Sequence, residues 1–293
     1  ISPSVNRVYG LERVLRAWEV PRSTFYWTRQ RQNAPVTLGC RRGPKPEWSD
    51  EEIAAKIREA IAASPFHGEG YRKFHARLRF AGVRISAPRV LRIMREHQLL
   101  APHRPIQREQ RTHEGTIIPQ GPDMLWGTDM TQTVTVQEGN ACVFAVVDHY
   151  TWECLGIHAA DRGDRFEALE AVRQAVSRVY GSYEKEAADG LVLRHDNGTQ
   201  YLSRAFQKEV AFLGMKSSPA FVREPEGNGS VERFFRHLKE QLLWVRHFQT
   251  IEELQKALQD FKERHNQSWM VERLGYRTPG QVRCEYKPAA QAA

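Results

Sequence analysis

Three acidic residues occur where the surrounding sequence patterns rarely tolerate a charge, and such acids could carry metal-dependent chemistry. Asp196 follows the apolar run at 191–193 and precedes an Asn-Gly turn signal, so its carboxylate is expected where a buried strand ends. Asp129 lies inside an alternating strand pattern, where an uncompensated carboxylate is expensive to bury. Glu232 is expected in the first turn of a helix, one residue from its apolar stripe. Three separate elements would therefore each supply one carboxylate.

Each of these acids also has a structural explanation when it is taken alone. Asp196 could be a turn residue that bonds its own backbone, and Asp129 could be a hydrogen-bonded core acid. Glu232 could pair with Arg236, four residues later, at the start of a helix. The residue types leave these interpretations open, and the case for chemistry depends on the three acids lying together.

A cluster of carboxylates is stable when divalent cations lie between them, and hard oxygen ligands suit Mg²⁺ or Mn²⁺. No lysine lies close in sequence to Asp129 or Asp196 that could compensate them instead. Two such ions, about 3.5 to 4 Å apart, activate the attacking oxygen and stabilise the leaving oxygen of a phosphodiester. The three acids therefore indicate a two-metal site that acts on a polynucleotide.

The elements that must position these acids form a mixed α/β pattern. Three antiparallel strands are predicted at 124–136, 141–150 and 154–160, followed by a helix around 169–179. A fourth strand at 191–196, a helix at 204–215, a fifth strand at 217–222 and a helix after residue 230 complete the order. This β-β-β-α-β-α-β order predicts a five-stranded mixed sheet flanked by helices.

The front of the chain is helical. Residues 10–31 predict two short helices that suit a helix-turn-helix, with Ser23 or Thr24 able to cap the second. Ser49 opens a further helix with isoleucines at 53, 57 and 61, and two more helices are predicted at 71–80 and 87–97. The basic residues of these last helices are spaced as solvated faces would be, so only some of them need touch a phosphate. Residues 101–115 read as a linker between domains.

Charge is distributed unevenly along the 293 residues. Residues 1–122 hold 22 Lys and Arg against 11 Asp and Glu, whereas residues 123–293 hold 21 against 24. A basic front half suits a polyanion such as nucleic acid.

The four cysteines form no C-x-x-C pair, which disfavours a zinc site or a disulfide framework and favours a reducing cytoplasm. No apolar run reaches the roughly 18 residues of a membrane span.

Three segments carry a resemblance to a known family: GTDMT around Asp129, HDNGTQY around Asp196 and GNGSVERFFRHLKEQ around Glu232. They resemble the DDE motif of transposases with a retroviral-integrase-like core, in particular the OrfB product of bacterial insertion-sequence family three. Thirty-five residues separate Asp196 from Glu232, as in that family. The likeness runs from about residue 10 to 285. One departure is His265-Asn266, where the family commonly has Tyr-Asn.

The resemblance implies an RNase H-like core in which Asp129, Asp196 and Glu232 form the catalytic triad and hold two Mg²⁺ or Mn²⁺ ions. It implies DNA strand cleavage followed by strand transfer, in a homo-oligomer of at least two chains, on DNA in the bacterial cytoplasm and nucleoid. Asp148 and His195 are expected to be structural. The expected domains are a helix-turn-helix segment at 1–40, a helical DNA-binding domain at 41–100, a linker at 101–122, the catalytic core at 123–250 and a C-terminal helix and tail at 251–293. The expected DNA contacts are Arg22, Ser23, Thr24, Tyr26, Arg72, Lys73, Arg89, Arg236 and Lys239.

Two alternatives to a transposase remain open at this stage. The chain could be a regulator that binds the ends of an element without cutting them, or a metal-dependent nuclease that cuts without joining. An intact triad disfavours the regulator, because a protein without catalysis would not need three clustered charges. Family members are often fused to an upstream OrfA segment with a coiled coil, so Ile1 is expected to mark such a boundary.

Overall fold

The computed structural model describes residues 1–33, 47–102, 119–220 and 228–286. Two compact units are present, Ile1–Trp48 and Ser49–Ala293. Cys40, most of the predicted linker at 101–122 and residues 221–227, which include the end of the predicted fifth strand, lie outside the described residues. Among the described residues, no helix combines the length and hydropathy that spanning a bilayer requires.

The first unit contains the two predicted short helices, α1 (Leu11–Ala17) and α2 (Arg22–Asn33). The helix α2 begins at Arg22, so Ser23 and Thr24 lie inside its first turn, and the prediction that one of them caps the helix is wrong. Both residues are exposed.

Three helices open the second unit: α3 (Asp50–Ala63), α4 (Tyr71–Phe80) and α5 (Ala87–Glu96). A capping box between Ser49 and Glu52 begins α3, because each side chain accepts a hydrogen bond from the backbone N–H of the other residue. Ile53 and Ile57 are fully buried, as the helical spacing predicts. Ile61 is 37% exposed, so the buried stripe ends one turn earlier than expected.

The remaining strands and helices confirm the predicted order. Their bounds are β1 (Leu125–Thr135), β2 (Gly139–Asp148), β3 (Cys154–Ala160), α6 (Arg165–Tyr180), β4 (Val192–His195), α7 (Thr199–Leu202), α8 (Arg204–Phe212), β5 (Lys216–Pro219), α9 (Gly229–Leu238), α10 (Ile251–Ser268) and α11 (Pro279–Glu285). A π-helical turn, Lys239–Leu243, continues directly from α9.

The sheet has the order β3-β2-β1-β4-β5. The first three strands pair antiparallel, whereas β4 pairs parallel to β1, and β5 parallel to β4. Together with its helices, this is the mixed α/β, RNase H-like arrangement that the resemblance implied. The short strand β4 lies next to β1 at the centre of the sheet, so the end of β4 faces the middle of β1.

Both faces of the sheet are covered, and strand periodicity decides which residues face which layer. Val143, Ala145 and Val147 of β2 belong to a core that α9 and α10 complete. Phe144 and Val146 face the opposite way, into a core shared with α6 and α8. On the second face, Gly156 lets α6 approach closely: a Cβ at this position would lie 2.0 Å from the carbonyl oxygen of Ala171.

Candidate active site

The parallel register of the central strands places two of the three acids side by side. Gly127 of β1 pairs with Arg194 of β4, which is the last residue of β4 in register with β1. Asp129 and Asp196 each lie two residues beyond that pair. Adjacent strands run about 4.8 Å apart, and residues two positions apart share a face. The two acids are therefore expected next to each other, at the carboxyl end of β4.

Asp129 is half-buried on β1, on the face that α9 covers. Its neighbour across the sheet is Ala145, a member of the core beneath α9. The Asp129 Oδ1 accepts a hydrogen bond of 2.7 Å from the backbone N–H of Met130.

Asp196 lies just past the end of β4, as the sequence predicts, and its side chain is exposed. Its Oδ1 accepts a 2.9 Å hydrogen bond from the backbone N–H of Gly198. The turn interaction that the sequence left open is therefore present. It holds one carboxylate oxygen toward the turn that starts α7.

Glu232 is brought over the sheet by the N-terminus of α9. Asn228, at the helix start, donates a 3.2 Å hydrogen bond from Nδ2 to the carbonyl oxygen of Thr128, next to Asp129. Close packing at Gly127 complements this bond, because a Cβ there would lie 2.5 Å from Val231 Cγ2. A glycine on β1 and an asparagine before α9 thus fix the height of Glu232 above Asp129. The sequence marks Asn228 or Ser230 as a possible cap of this helix, but the Asn228 side chain makes no cap bond and reaches Thr128 instead. The role of Gly127 was not predicted.

Asp129 and Glu232 line one cleft of about 300 Å³ together with Arg236 and Lys239. Lys239 begins the π-helical turn that follows α9, a feature often associated with functional sites. The structure therefore brings together both predicted basic neighbours and two of the three acids in one lining. Asp196 lies at the same edge of the sheet but does not line this cleft.

The charges of Asp196 and Glu232 both act on the pKa of Asp129. Burial raises the pKa of Asp129 to about 6, and the negative charges of Asp196 and Glu232 add to the rise, while Lys239 opposes it. Burial also raises the pKa of Glu232, with Arg236 acting in the opposite direction. Because two other acids contribute to the raised pKa of Asp129, its carboxyl lies in a region of concentrated negative charge.

Such a region suits a divalent cation, and the donor set of three carboxylates fits a hard ion such as Mg²⁺. Among the described residues, however, no three His, Cys, Asp or Glu side chains lie close enough to hold a metal ion between them. Repulsion between carboxylates and the bond from Asp196 to Gly198 both favour this more open arrangement. Metal ligation by the three acids stays a prediction.

Comparisons with known proteins agree with this architecture. A family model described as "Integrase core domain" matches residues 119–225, and a second model of the same description matches 213–279. An "HTH-like domain" model matches residues 47–106. These matches span the helices α3 to α5, the sheet and α9 in chain order.

Curated relatives extend the match over almost the whole chain. The chain is 24% identical to the putative transposase InsK for insertion sequence element IS150 of Escherichia coli K12, over 97% of this chain and 95% of that protein. It is 26% identical to the transposase InsD for insertion element IS2A/D/F/H/I/K of Escherichia coli, over 78% of this chain and 77% of that protein. The chain therefore carries an integrase core domain and an HTH-like domain, and it is similar over most of its length to transposases of insertion elements. Among solved structures, the HTLV-2 integrase catalytic core domain in complex with magnesium matches at 20% identity with a TM-score of 0.42, covering 58% of this chain and 99% of that chain.

Asp148 and His195, which the sequence assigned to structural roles, both make contacts inside the protein. Asp148 is fully buried and accepts hydrogen bonds from the backbone N–H groups of Asp123, Tyr150 and Thr151 and from the Thr151 hydroxyl. His195 bonds Ser217 Oγ at 2.9 Å, and burial lowers the pKa of its imidazole.

Both residues of the His265-Asn266 pair make structural contacts with the start of β3 and the segment just before it. Asn266 accepts a bond from the backbone N–H of Cys154 and donates one to its carbonyl oxygen, both at 2.9 Å. Asn266 thereby acts as a partner for the edge strand β3. His265 bonds the carbonyl oxygen of Trp152 at 3.1 Å.

The predicted DNA contacts of the helical front take different positions. Arg22 and Tyr26 of α2 are exposed, at 64% for the arginine side chain and 45% for the tyrosine. Arg72 pairs with Glu272 at 3.0 Å, and Arg89 pairs with Asp50 at 2.7 Å.

Lys73 departs from the predicted solvated face. Its Nζ is enclosed 2.8 Å from the ring centroid of Trp269 and 3.3 Å from Glu69, and its side chain is 15% exposed. The face of α4 that carries it packs against the end of α10, a contact that the local sequence of α4 does not show. DNA contact by these residues stays a prediction, and for Lys73 it requires the side chain to leave this position.

Proposed function

We propose that this chain is a DNA transposase that cuts the ends of its own mobile element and joins them to a target. The single observation that supports this most strongly is geometric: Asp129 and Glu232 line one cleft with Arg236 and Lys239, and the β1–β4 register brings Asp196 alongside Asp129. Three acids from three elements thus concentrate negative charge at one edge of an integrase-type sheet. A role in folding alone gives no reason for that concentration.

In this proposal Asp129, Asp196 and Glu232 hold two divalent ions, Mg²⁺ or Mn²⁺. Bound there, such ions would supply Lewis-acid stabilisation of the attacking and leaving oxygens. The side chains of Asp196 and Glu232 are exposed, so both can turn toward Asp129 without repacking the core. The half-buried Asp129, held by Met130, is the rigid member of the set.

Basic residues of the same cleft position the DNA. Lys239 and Arg236 line the cleft beside Glu232, and each places a positive charge where a phosphate of the scissile strand would lie. Water attacks a phosphodiester at the element's end, and the broken bond frees a 3′ hydroxyl. That hydroxyl then attacks a second phosphodiester in line, its proton leaves, and the displaced strand departs with its own 3′ hydroxyl. Positioning and charge stabilisation carry the reaction, since no covalent enzyme intermediate is needed.

Both ends of an element must meet for this reaction, so we infer that at least two copies of the chain act together on DNA of the bacterial cytoplasm and nucleoid. An OrfA segment, separate or fused upstream of Ile1, is a further expected partner. The basic first half of the chain supports contact with the element's terminal repeats.

Asp196→Asn tests the proposed function. The probe is labelled DNA carrying the terminal sequences that flank the coding region of this chain, incubated with and without Mn²⁺. We expect wild-type protein to cut and join this DNA, and the variant to bind it normally while cleavage falls by more than about a hundredfold. Asp161→Asn, on an exposed loop, is the matched control and should cut normally.

Three outcomes contradict the proposal in different ways. Binding without cleavage by the wild type in both conditions indicates the end-binding regulator. Cut ends without joined products indicate a nuclease. Strand transfer by Asp196→Asn in Mg²⁺ removes Asp196 from the catalytic set.

A further inference from the structure

A second cavity, of about 310 Å³, lies next to the active-site cleft. Its walls are largely aromatic, and its rim carries three arginines. The aromatic wall residues are Trp152, Phe234, His237, His265 and Trp269, and the arginines are Arg233, Arg236 and Arg273. Within the described residues, none of these arginines forms an ion pair. Two glutamates, Glu240 and Glu272, and Lys73 also line the cavity, which therefore joins flat apolar walls to a charged rim in which cations outnumber acids.

Three polar atoms of the cavity lining are buried and have no hydrogen-bond partner: Trp152 Nε1, His237 Nε2 and His265 Nδ1. The two histidines are only 6% and 3% exposed. Leaving buried polar atoms unpaired is unfavourable, so such atoms in a native protein call for an explanation. Their position around one cavity indicates a ligand with a polar edge.

The chemistry of that edge can be partly specified. His265 Nε2 lies 3.1 Å from the carbonyl oxygen of Trp152 and therefore carries the proton. Burial lowers the pKa of His265 to about 4, which keeps the ring neutral and leaves Nδ1 as an acceptor. Trp152 Nε1 is a donor only. Both atoms are covered in the structure, so a flat ligand that carries an acceptor and a donor would reach them only after a neighbouring side chain such as Arg233 moves aside.

One wall of the cavity is tightly packed, whereas the other is covered only by an exposed arginine side chain. Trp269 stacks on His237 with centroids 3.6 Å apart, and Lys73 Nζ lies 2.8 Å from the Trp269 centroid. On the other side, the exposed Arg233 covers the Trp152 ring at 5.2 Å. An arginine over a tryptophan can move aside or stack on an incoming ring, since guanidinium planes stack on nucleobases.

Arg236 connects the cavity to the reaction centre, because it lines both the cavity and the cleft that holds Asp129 and Glu232. A DNA strand whose phosphate lies at Arg236 therefore has its neighbouring nucleotide within reach of the cavity. Helix α9 carries Glu232 and Arg233 as neighbours in one turn and Arg236 one turn later.

We propose that this cavity takes an unstacked nucleobase of the DNA strand held in the active-site cleft, with its phosphates at Arg233, Arg236 and Arg273. The proposal rests on the proposed function and adds a base-binding site to it. A nucleobase is flat, carries donors and acceptors along one edge and is linked to phosphates, which matches the walls, the unpaired atoms and the rim.

The test compares two fluorescein-labelled single strands in the Asp196→Asn protein without divalent metal, so that no cleavage occurs. One probe is a ten-nucleotide oligothymidine, and the other has the same phosphates with abasic spacers. Base stacking contributes about 1–3 kcal/mol per base, which corresponds to an affinity advantage of roughly fivefold to a hundredfold for oligothymidine.

Substitutions at Trp152 should remove that advantage in a graded way. Trp152→Phe keeps a ring and loses only the N–H donor, so the advantage should fall about threefold to tenfold. Trp152→Leu also loses the ring, so the advantage of oligothymidine should fall further in this variant. Neither change should alter binding of the abasic strand. Trp126→Phe, which removes an indole N–H bonded to Asp123 inside the protein, is the matched control and should keep the full advantage.

Arg273 is exposed, so Arg273→Gln tests the contribution of the rim charge to DNA binding independently of the aromatic walls. It should weaken both probes equally. Equal binding of oligothymidine and the abasic strand, or an advantage that Trp152→Leu leaves intact, overturns the base site while the transposase proposal stands on its cleavage assay. Failure of both probes to bind counts against the proposed function itself.

Discussion

Asp129→Asn should make the metal-free protein more stable at neutral pH, even though it removes a catalytic carboxylate. The wild-type carboxyl is half-buried, and its pKa rises from an ordinary 3.8 to about 6 because burial and then the charges of Asp196 and Glu232 disfavour ionisation. Asparagine has nearly the same shape and no charge, and its oxygen can still accept the hydrogen bond from Met130 N–H.

The magnitude and sign follow from the pKa. A rise from 3.8 to about 6 corresponds to about 3 kcal/mol at most, and because Asp129 is partly exposed, solvent screening reduces this to about 1–3 kcal/mol. As the pH rises between these values, the unfolded chain loses its proton before the folded protein does, so the wild type becomes less stable. The advantage of Asp129→Asn should therefore be absent below about pH 4 and complete above about pH 7.

Thermal unfolding followed by circular dichroism, from pH 4 to pH 8 with a metal chelator, measures this advantage. Each kcal/mol corresponds to about 2–4 °C in Tm for a unit of this size. Asp161→Asn, which neutralises an exposed acid, should show no such pH-dependent gain. An Asp129→Asn protein that is no more stable than the wild type at pH 8, or whose gain is the same at pH 4, would refute the view that burial and the neighbouring acids disfavour the Asp129 carboxylate.

Further predictions concern metal binding, DNA binding and packing. Mg²⁺ should raise the Tm of the wild type more than that of Asp129→Asn, because the variant lacks one carboxylate; equal shifts in a thermal melt would contradict ligation by Asp129. Lys239→Gln should weaken DNA binding across sequences and lower the slope of log affinity against log salt by about one, measured by fluorescence anisotropy, and an unchanged slope would exclude a phosphate contact. Asn266→Ala should cost about 1–3 kcal/mol in a urea titration, because two backbone groups of β3 lose their partner; a neutral change would show that water replaces the amide. Gly156→Ala should cost about 3 kcal/mol or more in the same titration, since its Cβ would meet a backbone oxygen at 2.0 Å, whereas Gly70→Ala has open space and should be mild.

Local patterns predicted the elements of this protein well. The alternating residues of β1 and the apolar run of β2 placed both strands, because such patterns are properties of each strand by itself. The antiparallel pairing that was predicted for them is confirmed. Helical spacing likewise predicted the buried stripe of α9, in which Val231, Phe235 and Leu238 are all buried. The types and spacing of Asp129, Asp196 and Glu232 also indicated the chemistry before any contact was known.

Contacts between distant residues were beyond local pattern. The bond from Asn228 to Thr128 joins positions 100 residues apart, and it exists because Gly127 leaves room for α9. Lys73 has the sequence context of a solvated lysine, but the packing of α4 against the end of α10 encloses it beside Trp269. No periodicity along one helix contains that information.

The sequence by itself determined which side chains this protein can use for chemistry and which strands and helices carry them, since residue type and periodicity are local. Only the tertiary structure decided that Asp129 lies beside Asp196, that Glu232 and Lys239 share a cleft with Asp129, and that an aromatic cavity opens next to it. Strand register and helix packing bring together groups far apart in the chain. The energies that set them belong to the whole folded core rather than to any one segment.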